Sequence, residues 1–525
     1  SYGQKYGFNS ISSIDEYRKR VPISDYDSFK PYIDRISKGE DGVLVSEKVL
    51  MFELSSGSTS SSKYIPYTSS LKREFSCGIA PWIFNLYNTK KGLLKGKAYW
   101  SITPVSTKRQ KTSGGIPVGF EEDSEYFGIL QRYLLNMTLV VPGEVAGIND
   151  MDVFRYVTLL FLVKEKQLSL ISVWNPTFLT LLLEPLSIYF ESIISDIRYG
   201  TLTPPGSLPR EVCKGLLKRL GKSEKRFREL SEIYCRWGKE WVGENESIYE
   251  EIWPNLRLIS CWTDAYAALY VPDIKRLFPN VEIQGKGLIS TEAFVSFPVT
   301  GNNGGVLSVN SHFFEFIEID DKNTTGEYDK TRLAHELEAG KCYCVVVTTG
   351  GGLYRYRLFD IIKVTGYYNQ CPVFTFEGKE DNICDCCGEK LNGHHVGRAL
   401  KAIFEKYNII PGFYMLAPEK DDKSNTIFYT LFIETENETV IDDCNVIAAV
   451  ISDLEKSLRE NFHYNYCRDL GQLGVARIFR INDSRKAAAI YTEACRSFGQ
   501  REGNIKPVVL HKKTGWSKLF GGYYV

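Results

Sequence analysis

Glu53-Leu54-Ser55-Ser56-Gly57-Ser58-Thr59-Ser60-Ser61-Ser62-Lys63 is the most unusual stretch in the chain. The residues leading into it, Lys48–Leu54, read as a strand, and helical spacing returns behind it in Ser70–Tyr87. Small hydroxyl residues and a Gly let backbone N–H groups crowd around a phosphate. The hydroxyls add donors and Lys63 adds positive charge. The Gly-x4-Gly-Lys-Ser/Thr spacing of a Walker loop is absent. Taken alone, the stretch suits a phosphate cradle and a Ser-rich surface loop equally.

Two further segments carry nucleotide chemistry. In Thr348-Thr349-Gly350-Gly351-Gly352-Leu353-Tyr354-Arg355-Tyr356-Arg357-Leu358-Phe359-Asp360, a Gly-rich turn precedes alternating aromatics and arginines and ends on an acid. Asp360 is suited to accept from vicinal ribose hydroxyls and Arg357 to pair with a phosphate. An amphipathic strand with Tyr on one face and Arg on the other would spell the same letters. In Ser290-Thr291-Glu292, Glu292 is suited to ligate a phosphate-bound magnesium ion.

Composition bounds the answer. The 525 residues suffice for two to four domains, and 43% hydrophobic with 24% charged residues is ordinary for a globular protein. Lys plus Arg equals Asp plus Glu at 64 each, which gives no reason to expect nucleic acid or an anionic membrane as partner. The longest apolar run, Phe178 to Ile194, contains Glu184, Pro185 and Glu191 and reads as a packed helix, not a membrane span. No secretory signal is legible, and because the chain starts at Ser1, further native sequence is expected ahead of it. Thirteen scattered cysteines suit reduced thiols in a cytoplasm. Cys384, Cys386 and Cys387, with His394 and His395 downstream, lack paired Cys-x-x-Cys knuckles and read as buried thiols.

Along the chain, Tyr17–Arg20 and Asp25–Lys38 read as helical. Thr158–Val163 and Leu168–Val173 read as strands, and Phe178–Ile194 as one apolar helix. Arg210–Leu230 is a solvated basic helical stretch. From Leu256 onward, β-rich runs such as Glu282–Gly285, Phe313–Ile319 and Cys342–Thr348 alternate with helices, which argues for mixed α/β layers. A boundary is expected near Thr375–Asp385. Beyond it, helix His395–Tyr407, strand Thr426–Glu434, helix Asn445–Asn461 and strand Gly474–Arg480 would form a small α+β unit. The expected division is 1–378 and 379–525.

In this order, the three segments resemble the loop, magnesium-acid and ribose-acid motifs of the adenylate-forming superfamily. The closer resemblance is to the Gretchen Hagen three family, the auxin-responsive acyl acid amido synthetases, particularly its bacterial members. It is carried by Ser55-Ser56-Gly57-Ser58-Thr59 with Lys63-Tyr64-Ile65-Pro66-Tyr67-Thr68, and by Trp100-Ser101-Ile102-Thr103-Pro104. It continues in Trp174-Asn175-Pro176-Thr177-Phe178, Leu258-Ile259-Ser260-Cys261-Trp262, Phe313-Phe314-Glu315-Phe316 and Gly388-Glu389-Lys390-Leu391. The resemblance implies an adenylate-forming fold, α/β (mixed α+β), with a large N-terminal body of β-sheets plus a β-barrel and a small mobile C-terminal lid. It implies ATP and Mg2+, a small carboxylic acid activated as acyl-AMP, and transfer to an amine, often an amino acid. A thiol acceptor (coenzyme A or a carrier protein) and a nucleotide-binding pseudoenzyme are the competing readings.

Residue by residue, the resemblance makes Ser55, Ser56, Gly57, Ser58 and Thr59 the phosphate loop, and Ser290, Thr291 and Glu292 the nucleotide and magnesium motif. Tyr356-Arg357-Leu358-Phe359-Asp360 looks like the family's Tyr-Arg-x-Gly-Asp, with Phe359 where Gly is usual. Gly378-Lys379-Glu380-Asp381 looks like the hinge, with Lys379 for the usual Arg. Lys506, in Gly503-Asn504-Ile505-Lys506-Pro507, is similar to the lysine that steadies the α-phosphate, and Lys512 and Lys513 compete for that role. The acyl pocket is sought at Trp174, Thr177, Phe178, Trp262 and Thr263. His312 is read as a satisfied structural imidazole.

Overall fold

The computed structural model describes residues 1–55, 63–101, 110–119, 139–238, 241, 247–319, 330–380, 383–384, 386–387, 389–421, 426–435, 444–482, 486–498, 500 and 505–525. Ser56, Gly57, Ser58, Thr59, Asp381, Gly503 and Asn504 therefore lie outside the described residues.

After the short helix Tyr2–Lys5 come helices Ile14–Arg20 and Tyr26–Ser37, each capped by a side chain, Ser13 and Asp25 respectively, that accepts from the first turn. Then come β1 (Met51–Ser55), β2 (Lys63–Tyr67), β3 (Lys97–Trp100), β4 (Gln110–Lys111) and β5 (Pro117–Val118). Four of them form a sheet in the order β2-β1-β5-β4. β1 and β2 are antiparallel with Ser55 opposite Lys63, so the two ends of the Ser-rich stretch sit side by side. Thr68 caps the helix Ser69–Thr89 by accepting from Leu71 N, and that helix buries Leu71, Phe75, Ile79, Trp82 and Leu86 at helical spacing.

β3 belongs to a second sheet with β6 (Leu168–Ser172), β7 (Leu258–Cys261) and β8 (Glu282–Gly285), all parallel, in the order β3-β6-β7-β8. Two expectations fail around it. Thr158–Val163 is no strand but the second half of helix Met151–Lys164, capped by Asp150. Every residue from Tyr156 to Val163 is buried, so this half of the helix has no polar face, and an apolar run without period does not distinguish a strand from an enclosed helix. Phe178–Ile194 is not one helix but two, Pro176–Leu183 and Leu186–Tyr199, bent by 64° around Glu184-Pro185. Pro185 cannot continue the ladder of the first. No single described helix is long and apolar enough to cross a membrane.

A seven-stranded sheet follows from β9 (Ser296–Pro298), β10 (Gly305–Leu307), β11 (Phe313–Ile319), β12 (Thr331–Arg332), β13 (Cys342–Thr348), β14 (Tyr356–Tyr368) and β15 (Cys371–Lys379). Its order is β12-β11-β13-β14-β15-β10-β9. Beyond it stand the hairpin β16 (Ile383–Cys384) and β17 (Leu391–Asn392), then β18 (Pro411–Lys420), β19 (Ile427–Thr435), β20 (Arg477–Ile481) and β21 (Gly522–Tyr524). The last four make a sheet in that order, accompanied by helices Gly393–Tyr407 and Cys444–Leu458.

The chain condenses into two compact units. The larger comprises residues 1–263, 271–358 and 362–376, and the smaller 264–270, 359–361 and 377–525. The larger unit has two main cores. One surrounds the parallel sheet and helix Met151–Lys164, and the other lies between the seven-stranded sheet and the first helices. The smaller unit has cores around Leu431 and Phe432 of β19, whose alternate residues face opposite sides of the sheet.

Candidate active site

Three of the motif segments meet in the larger unit, around the residues that follow the Ser-rich stretch. Tyr67 Oη donates to the carbonyl of Thr291 at 2.6 Å. The next residue, Thr68, donates from Oγ1 to the carbonyl of Gly350 at 2.8 Å while capping helix Ser69–Thr89. One turn into that helix, Glu74 accepts from Gly350 N at 2.9 Å and lies 2.8 Å from His312 Nδ1. His312 Nε2 accepts from Phe294 N at 3.0 Å, so in the neutral ring Nδ1 carries the proton and donates it to Glu74. His312 is thus a satisfied structural imidazole that ties helix, 290–294 segment and Gly-rich turn together.

The turn glycines serve packing. A Cβ on Gly350 would come within 2.7 Å of Ser70 Cβ, and one on Gly351 within 2.6 Å of the Pro66 carbonyl. Gly352 adopts φ +96, which L side chains rarely take. Two polar groups in these segments stay open. Glu292, 8% exposed, makes no hydrogen bond or ion pair among the described residues, and Thr349 Oγ1 is buried without a partner. Ser290 closes its own turn, accepting from Ala293 N. A buried carboxylate of this kind costs stability unless a cation joins it, so Glu292 fits a magnesium ligand. Ser55 and Lys63 pair across β1 and β2, with the Lys63 ammonium 5.4 Å from the centre of the Tyr26 ring.

The Tyr-Arg stretch divides its labour differently from the reading of two clean faces. Arg355, at φ 47, is buried and bidentate on Glu315, with Nε–Oε2 2.8 Å and Nη2–Oε1 2.9 Å, and donates to the carbonyls of Arg18 and Val21. It is a structural anchor whose loss would strand a buried charge. Tyr356 is buried and Arg357 half-buried. Phe359 has φ 61, the left-handed region that Gly takes without strain and a side chain resists. Its carbonyl accepts from Glu380 N at 2.7 Å within the smaller unit. Asp360, 2% exposed, lies 3.0 Å from Lys379 Nζ, so the segments expected to hold the ribose acid and the hinge share an ion pair. Lys506 is exposed, and its carbonyl accepts from Tyr491 Oη at 3.1 Å.

The residues expected to line an acyl pocket gather at the carboxyl ends of the parallel strands, where open α/β sheets bind ligands. Trp174, beyond β6, and Trp262, beyond β7, have rings 5.7 Å apart, and Trp262 N donates to the Trp174 carbonyl at 2.8 Å. Thr263 faces Gly285, where a Cβ would stand 2.5 Å from its Oγ1. Thr177 sits at the start of helix Pro176–Leu183, its N–H donating to Asn175, and Phe178 packs against the main core. Sequence reasoning missed Lys286. It is 1% exposed, donates to Ser172 Oγ at 2.6 Å, and has its ammonium 5.0 Å, 5.1 Å and 5.4 Å from the ring centres of Trp174, Trp100 and Trp82. Its only sequence signal is a lone lysine between Gly285 and Gly287 at a strand end. Burial pushes the neighbouring Cys261 thiol up to about 12, against the pull of Lys286, so Cys261 is no nucleophile.

Residues 1–283 match the GH3 family N-terminal domain and residues 305–379 the GH3 family central domain. An indole-3-acetic acid-amido synthetase of Arabidopsis thaliana, GH3.3, is 25% identical over 451 residues, 83% of this chain and 71% of that protein. A jasmonoyl–L-amino acid synthetase of Nicotiana attenuata is 24% identical over 463 residues, 85% of this chain and 78% of its own length. Among solved structures, AtGH3.15 acyl acid amido synthetase in complex with 2,4-DB superposes with a TM-score of 0.77 at 20% identity, covering 97% of this chain and 88% of that one. The shared fold is the mixed α+β adenylate-forming fold.

Proposed function

The chain belongs to the GH3 family, and from that premise we propose that it is an ATP-dependent ligase that adenylates a small carboxylic acid and transfers the acyl group to an amine, forming an amide. The observation that carries the reading is the meeting of Tyr67 and Thr68 with Thr291 and Gly350, which brings the flank of the Ser-rich stretch, the magnesium motif and the Gly-rich turn into one place. The names of the relatives support a carboxylic acid and an amino acid as the two substrates.

In this reading the nucleotide binds against Ser55, Ser56, Gly57, Ser58, Thr59 and Lys63, with Ser290 and Thr291 shaping the pocket and Glu292 holding magnesium. Magnesium, when bound, offsets the charge on the phosphates. Tyr356, Arg357 and Asp360 receive the nucleoside, and Asp360 exchanges Lys379 for the ribose hydroxyls. Trp174, Trp262 and Thr263 line the acid site, with Thr177 and Phe178 behind them, and aromatic walls suit a flat or apolar acid. Residues 1–378 carry the ATP and acyl sites and 379–525 act as the lid that brings Lys506. A mixed anhydride with AMP has a good leaving group, so the protein need only align the acid and amine and spread charge. No disulfide joins the cysteines whose side chains are described, which supports a cytoplasmic setting.

The test is ATP–pyrophosphate exchange against a panel of carboxylic acids, followed by amines and thiols with product masses recorded. Acid-dependent exchange followed by an amide supports the reading. Exchange that yields only a thioester moves the protein to the thiol-transferring class, and no exchange with any acid sinks the activity.

A further inference from the structure

The smaller unit holds a cluster of soft and hard donors that the adenylation chemistry does not use. Cys384 ends β16, and Cys386, Cys387 and Glu389 follow before β17 closes the hairpin, Cys384 standing opposite Leu391. The Sγ atoms of Cys384 and Cys386 are 3.8 Å apart. These sulfurs and a carboxylate oxygen of Glu389 all lie within 4.8 Å of one another. Cys384 is 1% exposed and Glu389 is fully buried, while Cys386 faces solvent.

Glu389 is fixed in place by its surroundings. Oε1 accepts from Cys386 N at 2.8 Å and from Tyr429 Oη at 2.5 Å. Oε2 accepts from Cys387 N at 2.8 Å and from the Cys387 thiol at 3.3 Å. None of these four donors carries a charge. The hairpin is therefore built around a buried anion with two thiols beside it, an arrangement a cation completes. The sulfur spacing sets the class of cation. Two thiolates at the zinc–sulfur distance of about 2.3 Å around a tetrahedral ion lie roughly 3.8 Å apart. Two sulfurs and one oxygen suit a thiophilic divalent ion and not magnesium or calcium, which take oxygen ligands. The backbone N–H groups and Tyr429 supply the outer hydrogen bonds that orient a metal-binding carboxylate. The sequence concealed this because the pattern has no paired Cys-x-x-Cys knuckle and its third ligand lies inside Gly-Glu-Lys-Leu.

We propose that Cys384, Cys386 and Glu389 form a binding site for a divalent ion of the zinc class, with a fourth position open to solvent on the Cys386 side. Binding releases the two thiol protons to solvent as two metal–sulfur bonds form. The carboxylate contributes Oε2, from which the ion displaces the weak Cys387 S–H donor. The bound ion pins the β16–β17 hairpin, which follows Lys379 in the chain.

The test uses Co2+ as the probe, titrated into the reduced full-length protein. The expected result is a sulfur-to-cobalt charge-transfer band with strong visible bands of a tetrahedral ion, saturating at one equivalent and displaced by Zn2+. C386S changes an exposed side chain and is expected to keep the fold by circular dichroism while losing the charge-transfer intensity, and C384S likewise. E389Q should weaken cobalt binding at least ~10-fold. C213S and C235S, remote in sequence, should leave the spectrum unchanged. Absence of the band, a band that survives C384S and C386S, or a protein that takes up no cobalt and instead loses two hydrogens in air to form a disulfide would overturn the assignment.

Discussion

Lys379 Nζ lies 3.0 Å from Oδ1 of Asp360, joining the last residue of β15 to an acid in the middle of β14. The two come from motifs separated in sequence, and Asp360 is buried with this ammonium as its counter-charge. Nucleotide binding would replace one partner by ribose hydroxyls. Asp360→Ala is expected to abolish adenylation with the fold intact, costing about 2–4 kcal/mol in the transition state, or ~30- to 1,000-fold. Acid-dependent pyrophosphate exchange surviving within a few-fold would remove Asp360 from the ribose site.

Glu292 offers the next test, because it is buried and unpartnered among the described residues. Glu292→Gln keeps shape and removes charge. Exchange should fall on the order of 10- to 100-fold and require a higher magnesium concentration, while thermal stability holds or rises as an uncompensated anion is removed. An unchanged magnesium dependence would show that Glu292 is no ligand.

Phe359 sits at a φ of 61, in the left-handed region. At such a position the usual ranking reverses. Phe359→Gly should be more stable than Phe359→Ala by about 1 kcal/mol, read from urea midpoints, since Ala keeps the left-handed strain that Gly escapes. Equal midpoints would mean that the backbone relaxes there.

His511 makes the smaller unit sensitive to acid. Burial, and then the neighbouring charge of Lys513, hold its imidazole down at about 4 from an ordinary 6.5. Nδ1 accepts from Lys513 N at 3.0 Å and from Trp516 Nε1 at 3.1 Å, contacts that a proton on that nitrogen would break. The unfolded chain takes up this proton near 6.5 and the folded one only near 4. The contribution is therefore full above pH 6.5, falls as pH drops through that window, and is gone below 4, amounting to about 3 kcal/mol. Urea unfolding of the wild type and His511→Gln between pH 7 and 4 checks it. The variant should be less stable at pH 7 and flatter with pH, and parallel curves would contradict the assignment.

Lys506 tests the lid reading. Negative charge builds on the α-phosphate as the carboxylate attacks, and a positioned ammonium is worth most at that moment. Lys506→Ala should slow adenylate formation strongly, with a modest change in ATP affinity, and spare amide formation from pre-made acyl-AMP. Loss in both half-reactions alike, or in neither, would make Lys506 a structural or merely exposed lysine.

The sequence by itself determined the mixed α+β class, the family and most elements whose period survives burial on one side. Phe313–Ile319 and Cys342–Thr348 are strands in register with one another, and Ser70–Tyr87 lies within its helix. Motif order was legible too, because nucleotide chemistry restricts which residues can stand at a turn or strand end. Tertiary structure decided what local pattern does not encode. The second half of helix Met151–Lys164, Tyr156–Val163, is buried on every side, so its letters lost the helical period, whereas the break at Pro185 is local chemistry that the sequence carried. Arg355 reads like Arg357 in sequence, yet it is committed to Glu315, forty positions upstream. Lys286 acquired its Trp neighbours, and Glu389 its two cysteines, from chain crossings and backbone turns. Charges and thiols take their roles from the groups that surround them after folding, and those neighbours are set by packing rather than by adjacency.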